Sequence, residues 1–304
     1  MSYIAIDIGG TNVRYAFADE LDTGLLNYRK KPFLKTGNPR SEVEENICGV
    51  INMMSGDVKG IGISLAAVMN RNTGKVKTWP NNPCWNHYKL VEHLCGKYNV
   101  PIVIEDDANC GAAGEYHSFA APIKNMAYIT IGTGIGCGLI LNGSLFTGEN
   151  GFAGELGHVH LGNGDDESVC SCGNKGCFQS IASGPSVLKE YNTAAKAELK
   201  SLEQVYGQSV QNNPVAAQCL SNLINNVSII IYNLTMCLDI SVFVIGGGVS
   251  NMGAEFLLQI EDKVNERLSR FEREGCVKQA HHGEFSGVYG ALRLLKNRIY
   301  IEKG

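Results

Sequence analysis

At 304 residues, with 44% hydrophobic and 18% charged side chains, the chain has an ordinary globular composition and enough length for two domains with separate cores. A formal net charge of −4 and a pI near 6.0 argue against a nucleic-acid binder, which normally carries a clustered basic surface. Arg29-Lys30-Lys31 is too short a basic run to change this and reads as a solvated strand end. No basic leader precedes an apolar segment, and no uninterrupted apolar run approaches about 18 residues, so neither a secretory signal nor a membrane span is expected. Eleven cysteines, an odd number in a long chain, suit a reducing cytoplasm better than a disulfide framework.

In chain order, Tyr3–Ile8, Val13–Ala18 and Leu25–Lys30 are β-rich runs separated by turn residues, which predicts an antiparallel meander. Ser41–Met54 has helical spacing through Val43, Ile47, Val50 and Ile51. Ile61–Leu65 and Ile102–Ile104 predict short buried strands, with Tyr88–Tyr98 helical between them. Met126–Ile131 and Cys137–Asn142 then form a second strand pair around a glycine-rich turn, with a further turn at Asn142-Gly143. Long helices are expected over Pro185–Leu199 and Pro214–Leu238, and a buried strand over Val242–Ile245. Glu255–Phe271 is amphipathic, with Phe256, Leu257, Ile260, Val264 and Leu268 on one face, and Gly287–Asn297 closes the chain as a helix. The recurrence of strand, glycine turn and strand predicts two related halves facing one cleft. The expected division is a small lobe over 1–118, with a helix near 290–304 packing back on it, and a large lobe over 119–289. The break falls in Glu115–Pro122.

The glycine turns suggest chemistry. Gly9-Gly10-Thr11 and Gly132-Thr133-Gly134 each join two strands, and Gly246-Gly247-Gly248 ends a third. Backbone lacking Cβ atoms lets N–H groups approach phosphate oxygens, and the threonines add hydroxyl donors. Neither turn is followed by Gly-Lys-Ser/Thr, and the third glycine of a dinucleotide fingerprint counted from Gly132 would fall on Cys137. A tight hairpin explains each turn alone; three together point to a nucleotide cleft. Asp7, at the end of the first strand, would then hold Mg²⁺ beside the phosphates. In "IVIEDDANCGAAGE", Glu105, Asp106 and Asp107 stand where a strand enters a helix. Asp107 is either the cap of that helix or a general base for a sugar hydroxyl attacking a γ-phosphate.

"GELGHVHLGNGDDESVCSCGNKGC" holds His158, Cys170, Cys172 and Cys177, a Cys₃His set at loop spacings that suit closed, structural zinc. His160 is a competing ligand. A zinc ribbon for nucleic acid is the alternative, opposed by the acidic neighbours Asp165, Asp166 and Glu167. The remaining eight cysteines are expected to be buried apolar residues.

Taken together, "DIGGTN" (Asp7–Asn12), "PNNPCW" (Pro80–Trp85), "EDDAN" (Glu105–Asn109), "IGTGIGCGLILNG" (Ile131–Gly143), "GELGH" (Gly154–His158), "CSCGNKGC" (Cys170–Cys177) and "VIGGGVS" (Val244–Ser250) resemble the ROK family of repressors, open reading frames and sugar kinases over nearly the whole chain. The resemblance implies an α/β, two-lobed actin-like (RNase H-like) fold, with the sugar between the lobes, ATP on the larger one, and a homodimer or homotetramer. It matches Asp107 to the catalytic base, Asn81, Glu155 and His158 to sugar ligands, and His158 also to the zinc through its other ring nitrogen. Gly10, Thr11, Thr133, Gly134, Gly247 and Gly248 match phosphate and nucleotide contacts, and Gly9, Asn12 and Gly132 belong to the same turns.

This chain departs from the family pattern at the sugar positions. Ala66-Ala67 stands for Pro-Gly, Asp106 for an asparagine, and Gln179 for a glutamate that reads the C1–C2 end of the sugar. Ala67, Asp106 and Gln179 therefore bear on which sugar is bound. The resemblance implies a cytoplasmic kinase using ATP, Mg²⁺ and structural Zn²⁺ on the 6-OH of a hexose or N-acetylhexosamine. Its alternatives are a sugar-sensing transcriptional regulator and a catalytically silent sugar-binding protein. The regulators carry an added helix-turn-helix, for which a first strand at Tyr3 leaves no room.

Overall fold

The computed structural model describes residues 2–21, 26–54, 57–161 and 168–303, so Leu25, Asp165, Asp166 and Glu167 lie outside the described residues. The chain divides into two compact units, Met1–Phe119 with Phe285–Gly304, and Ala120–Glu284.

In the first unit, β1 (Ser2–Ile8), β2 (Asn12–Ala18) and β3 (Leu26–Pro32) form the expected antiparallel meander. Arg29, Lys30 and Lys31 lie on β3, and Lys31 Nζ donates to the Glu45 carbonyl. Then follow α1 (Pro39–Val43), a π-helical turn at Glu44–Cys48 and α2 (Gly49–Ile51). The Asn38 side chain accepts from the Ser41 N–H and Pro39 opens the helix, the arrangement that fixes a helix start. An inserted π turn is invisible to a 3.6-residue pattern, so the expected single helix was right in kind but not in form.

β4 (Val58–Leu65), the hairpin of β5 (Val68–Asn70) and β6 (Lys75–Thr78), α3 (Leu90–Cys95) and β7 (Ile102–Asp106) come next. α3 is shorter than Tyr88–Tyr98 because the Tyr88 N–H turns back to the Trp85 carbonyl before the helix begins. The sheet order is β3-β2-β1-β4-β7, with β4 and β7 parallel to β1. Alternation along β1 sends Ile4, Ile6 and Ile8 into one core and Ala5 into another on the opposite face. The second face is covered by α4 (Asp107–Tyr116) and α10 (Ser286–Lys303). A Cβ on Gly290 would lie 1.6 Å from the Cys110 carbonyl oxygen. The small residues of α4 and the glycines of α10 thus let two helix backbones touch.

In the second unit, β8 (Met126–Ile131), β9 (Ile135–Leu141), β10 (Ser144–Phe146), β11 (Val242–Gly246) and β12 (Cys276–Gln279) lie in the order β10-β9-β8-β11-β12. Asn142 and Gly143, at φ 52° and 80°, make the predicted turn between β9 and β10. The helices are α5 (Phe178–Ala182), α6 (Gly184–Ala195), α7 (Leu202–Val210), α8 (Pro214–Leu238) and α9 (Ala254–Leu268). α8 is long and apolar enough to cross a membrane by composition. Its Leu220, Leu223, Val227, Ile230 and Ile231 pack into the core of this unit, where α9 buries Phe256, Leu257, Ile260, Val264 and Leu268.

Candidate functional site

The register of the first sheet assembles one group of candidate residues. Ile8 pairs with Leu65, and Leu65 with Asp106. Gly9, Ala66 and Asp107 therefore leave the sheet side by side at the carboxyl edge of three parallel strands, the edge where open α/β sheets bind ligands. Asp7 sits one pleat back from it, nearly buried, accepting from Ser64 Oγ at 2.6 Å and facing Arg14 Nη1 at 3.4 Å. The Gly9 N–H donates to the Asn12 carbonyl at 3.0 Å, closing the turn that carries Gly10 and Thr11. Ala67 is buried beside this edge, its N–H donating to the Leu65 carbonyl.

Asn81 is brought to the same turn: a Cβ on Gly10 would lie 3.0 Å from Asn81 Cβ. Its loop is held by a residue the sequence reading missed, Glu42 on α1, which is completely buried. One Glu42 carboxylate oxygen accepts from Asn82 Nδ2 and from Trp85 Nε1 at 2.7 Å. The other accepts from the Thr36 and Gly37 N–H groups at 2.7 and 2.8 Å. Burial alone would raise this carboxyl; the hydrogen bonds from Asn82, Trp85, Thr36 and Gly37 outweigh it and hold the group below its ordinary value. The helical pattern gave no sign of Glu42, which stands off the face of Val43, Ile47, Val50 and Ile51.

The acidic elbow separates into three roles. Glu105 takes a two-pronged ion pair from Arg71 Nη2 at 2.7 and 2.8 Å, and also accepts from Asn109 Nδ2 at 3.0 Å. Asp106 caps α4, its carboxylate accepting from the Ala108 and Asn109 N–H groups at 3.0 and 3.4 Å. Capping therefore belongs to Asp106 and not to Asp107. Asp107 is the first residue of the helix, half-buried at the sheet edge. Arg71 had no sequence signal, lying in an ordinary Asn-Arg-Asn-Thr-Gly turn.

In the second unit, Thr130 pairs with Gly246, so the Gly132 turn and Gly247-Gly248 emerge together. The Gly132 N–H donates to the Gly134 carbonyl at 2.9 Å, and a Cβ on Gly132 would lie 4.0 Å from the Gly248 nitrogen. Gly247 has φ +74°, and a Cβ there would meet the Ile131 carbonyl oxygen at 2.5 Å, so only glycine suits it. Thr133 and Gly134 are exposed on the rim.

The ligand atoms of His158, Cys170, Cys172 and Cys177 all lie within 4.8 Å of one another. His158 Nδ1 is 3.6 Å from Cys170 Sγ, and Cys172 Sγ is 3.6 Å from Cys177 Sγ. Ligands bound tetrahedrally at ordinary zinc–sulfur and zinc–nitrogen lengths would stand about 3.5–3.8 Å apart, so this donor set fits such an ion. Burial would raise the Cys170 thiol, but hydrogen bonds from the Cys172 backbone and the Gln179 amide bring it down to about 6. Burial and the neighbouring thiols push Cys177 up to about 12. His158 turns its other nitrogen, Nε2, toward Glu155 Oε2 at 4.0 Å. His160 is not among the clustered ligands; its ring covers Gly176, where a Cβ would lie 2.5 Å from Nε2. Gln179 donates from Nε2 to Cys170 Sγ and to Ser171 Oγ, both at 3.1 Å.

A second group, Glu44, Cys48 and His93, is internally satisfied. Lys97 binds Glu44, His93 Nε2 lies 3.0 Å from Glu44, and Tyr88 Oη meets His93 Nδ1 at 2.8 Å.

The ROK family model matches residues 3–298, and the chain belongs to that family. It is 29% identical to an N-acetylmannosamine kinase of Vibrio cholerae over 89% of this chain and 92% of the relative. A ROK glucokinase of Streptomyces griseus, solved with glucose and AMPPNP, superposes with a TM-score of 0.78 at 27% identity, covering 98% of this chain and all of that one. A ROK transcriptional regulator, described as a homolog of the E. coli MLC protein, shares the fold with a TM-score of 0.80 at 22% identity, covering 97% of this chain and 78% of its own. The fold is the α/β actin-like fold of sugar kinases, and the matches support a sugar phosphotransferase.

Proposed function

We propose that the chain is an ATP- and Mg²⁺-dependent sugar kinase acting on the 6-OH of a hexose or N-acetylhexosamine, with Asp107 as general base. The observation that carries this reading is the register that sets Asp107 at the same carboxyl edge as the Gly9-Gly10-Thr11 turn and Asp7. The Asp107 carboxylate takes the proton of the hydroxyl as its oxygen bonds to the γ-phosphorus, the bond to the β-phosphate oxygen breaks, and ADP leaves. Asp107 then returns the proton to solvent. Gly9 to Asn12, Gly132 to Gly134, Gly247 and Gly248 offer backbone N–H groups and threonine hydroxyls to the nucleotide. Asp7 is the residue to hold Mg²⁺, which when bound neutralises phosphate charge. Asn81, Glu155 and His158 read the sugar hydroxyls.

Zinc in the Cys₃His set would be structural, since its four protein ligands leave no open position. Zinc bound through Nδ1, which faces the thiols, would set the His158 tautomer and ring direction and leave Nε2 for the sugar. The test is a coupled ADP-release assay over a panel of hexoses and N-acetylhexosamines. Turnover with at least one sugar supports the reading. Sugar binding without ADP release from any of them would make the chain a silent sugar-binding protein.

A further inference from the structure

Gln179 is the position where this chain departs from the glutamate of the family pattern, and its surroundings give the departure a use. Its side-chain nitrogen carries two hydrogens, directed to Cys170 Sγ and Ser171 Oγ. A metal-bound thiolate is an acceptor only, so of the two ends of the amide only the nitrogen satisfies it. The carbonyl end lies 3.4 Å from where a Cβ would stand on Gly134 and 3.1 Å from one on Gly157. The backbone beneath is fixed as well: Gln179 is two residues after the ligand Cys177, and its carbonyl accepts from the Ser183 N–H at 3.2 Å and Ser186 Oγ at 3.0 Å. One side chain therefore hydrogen-bonds the ligand Cys170 and stands close to Gly157, the residue before His158, and to Gly134.

We propose that Gln179 is a positioning residue of the metal loop, its amide holding the Cys170 sulfur in ligand position and joining that loop to the Gly134 turn. A glutamate of the same length has no N–H for the sulfur and would set a carboxylate against a thiolate. With both hydrogens engaged, Gln179 shows a bound sugar only a neutral acceptor. The inference rests on the proposed zinc site but not on kinase activity.

The test uses the full chain loaded with zinc, with release followed by a chromophoric chelator, for wild type, Gln179→Glu and Gln179→Met. Outer-shell partners of metal ligands typically change affinity about 10–100-fold. Gln179→Glu should weaken zinc binding within that range, and Gln179→Met should fall between it and wild type. In the cobalt-loaded protein, both variants should shift the thiolate-to-cobalt charge-transfer band, which mere loosening of the fold would not do. Wild-type zinc affinity and an unmoved band in both variants would overturn the proposal. A wild-type chain that releases ADP but binds no zinc would remove the metal site and this inference together, leaving the kinase reading intact. Zinc retention with no ADP release would do the reverse.

Discussion

The two units share a strand order and stabilise the carboxyl edges of their sheets by opposite means. Each sheet has two antiparallel strands on one side of the first strand and two parallel strands on the other. Yet among the described residues the buried carboxylates Asp7, Glu42, Glu105 and Glu115 all belong to the first unit. The buried polar residues of the second are Ser183, Ser228, Thr235 and Ser250. A buried carboxylate persists only if it is hydrogen-bonded. The first unit meets that condition with Ser64, with Asn82 and Trp85, with Arg71, and with Ser286. The second shapes its edge with close backbone contacts and a thiol cluster. One strand order thus carries both kinds of edge.

The contrast breaks most sharply at Asp107. Asp107→Asn should lower kcat by roughly 10²–10⁴-fold, the usual contribution of a general base, with the KM for sugar little changed. Steady-state kinetics showing near wild-type kcat would move the base elsewhere. Next comes Glu42→Ala, which strands the buried donors of Asn82 and Trp85 and should cost about 3 kcal/mol or more by urea denaturation. Hydrogen exchange should place that loss in the first unit; a loss shared equally by both would contradict a local network. Because the folded carboxyl is held below its ordinary value, it adds stability above the unfolded pKa of about 4.3, lost as pH falls through the folded value. Wild type should therefore lose more stability than Glu42→Gln on acidification from about pH 5 to pH 3.

Gly247→Ala tests the second unit. Positive φ with extended ψ, a region open almost only to glycine, costs another residue about 1–3 kcal/mol, before any clash with the Ile131 carbonyl. Its KM for ATP should rise more than its KM for sugar, and the opposite order would argue against a nucleotide turn. The smallest effect is expected from Arg71→Met. Arg71 is 43% exposed, and Glu105 keeps Asn109 Nδ2 and the Asp106 N–H. Such a partly solvated pair is worth about 1 kcal/mol or less. A drop in kcat of a few-fold at unchanged KM would mark Arg71 as a positioning residue for the elbow, and unchanged kcat would restrict it to stability.

The strands at Tyr3–Ile8, Val13–Ala18 and Met126–Ile131 were legible because apolar runs met turn residues at both ends. β12 was not: Val277 is its only buried residue, in a segment otherwise polar. α7 was missed for a similar reason, burying only Leu202 and Val205. Among the cysteines outside the cluster, Cys48, Cys110, Cys137 and Cys219 are buried as expected, whereas Cys95 and Cys237 are exposed and Cys84 and Cys276 half-buried. A thiol is small enough to tolerate either environment, so composition alone does not place it.

Local chemistry written along the chain determined the strand-and-turn repeat, the glycine turns, the Cys₃His donor set and the candidate base, because each depends on residues close in sequence. Tertiary structure alone decided that Arg71 neutralises Glu105 and that Glu42 carries the Asn81 loop. A carboxylate's role depends on which donors reach it, and those donors come from segments far apart in the chain, as Trp85 does to Glu42 and Arg71 to Glu105.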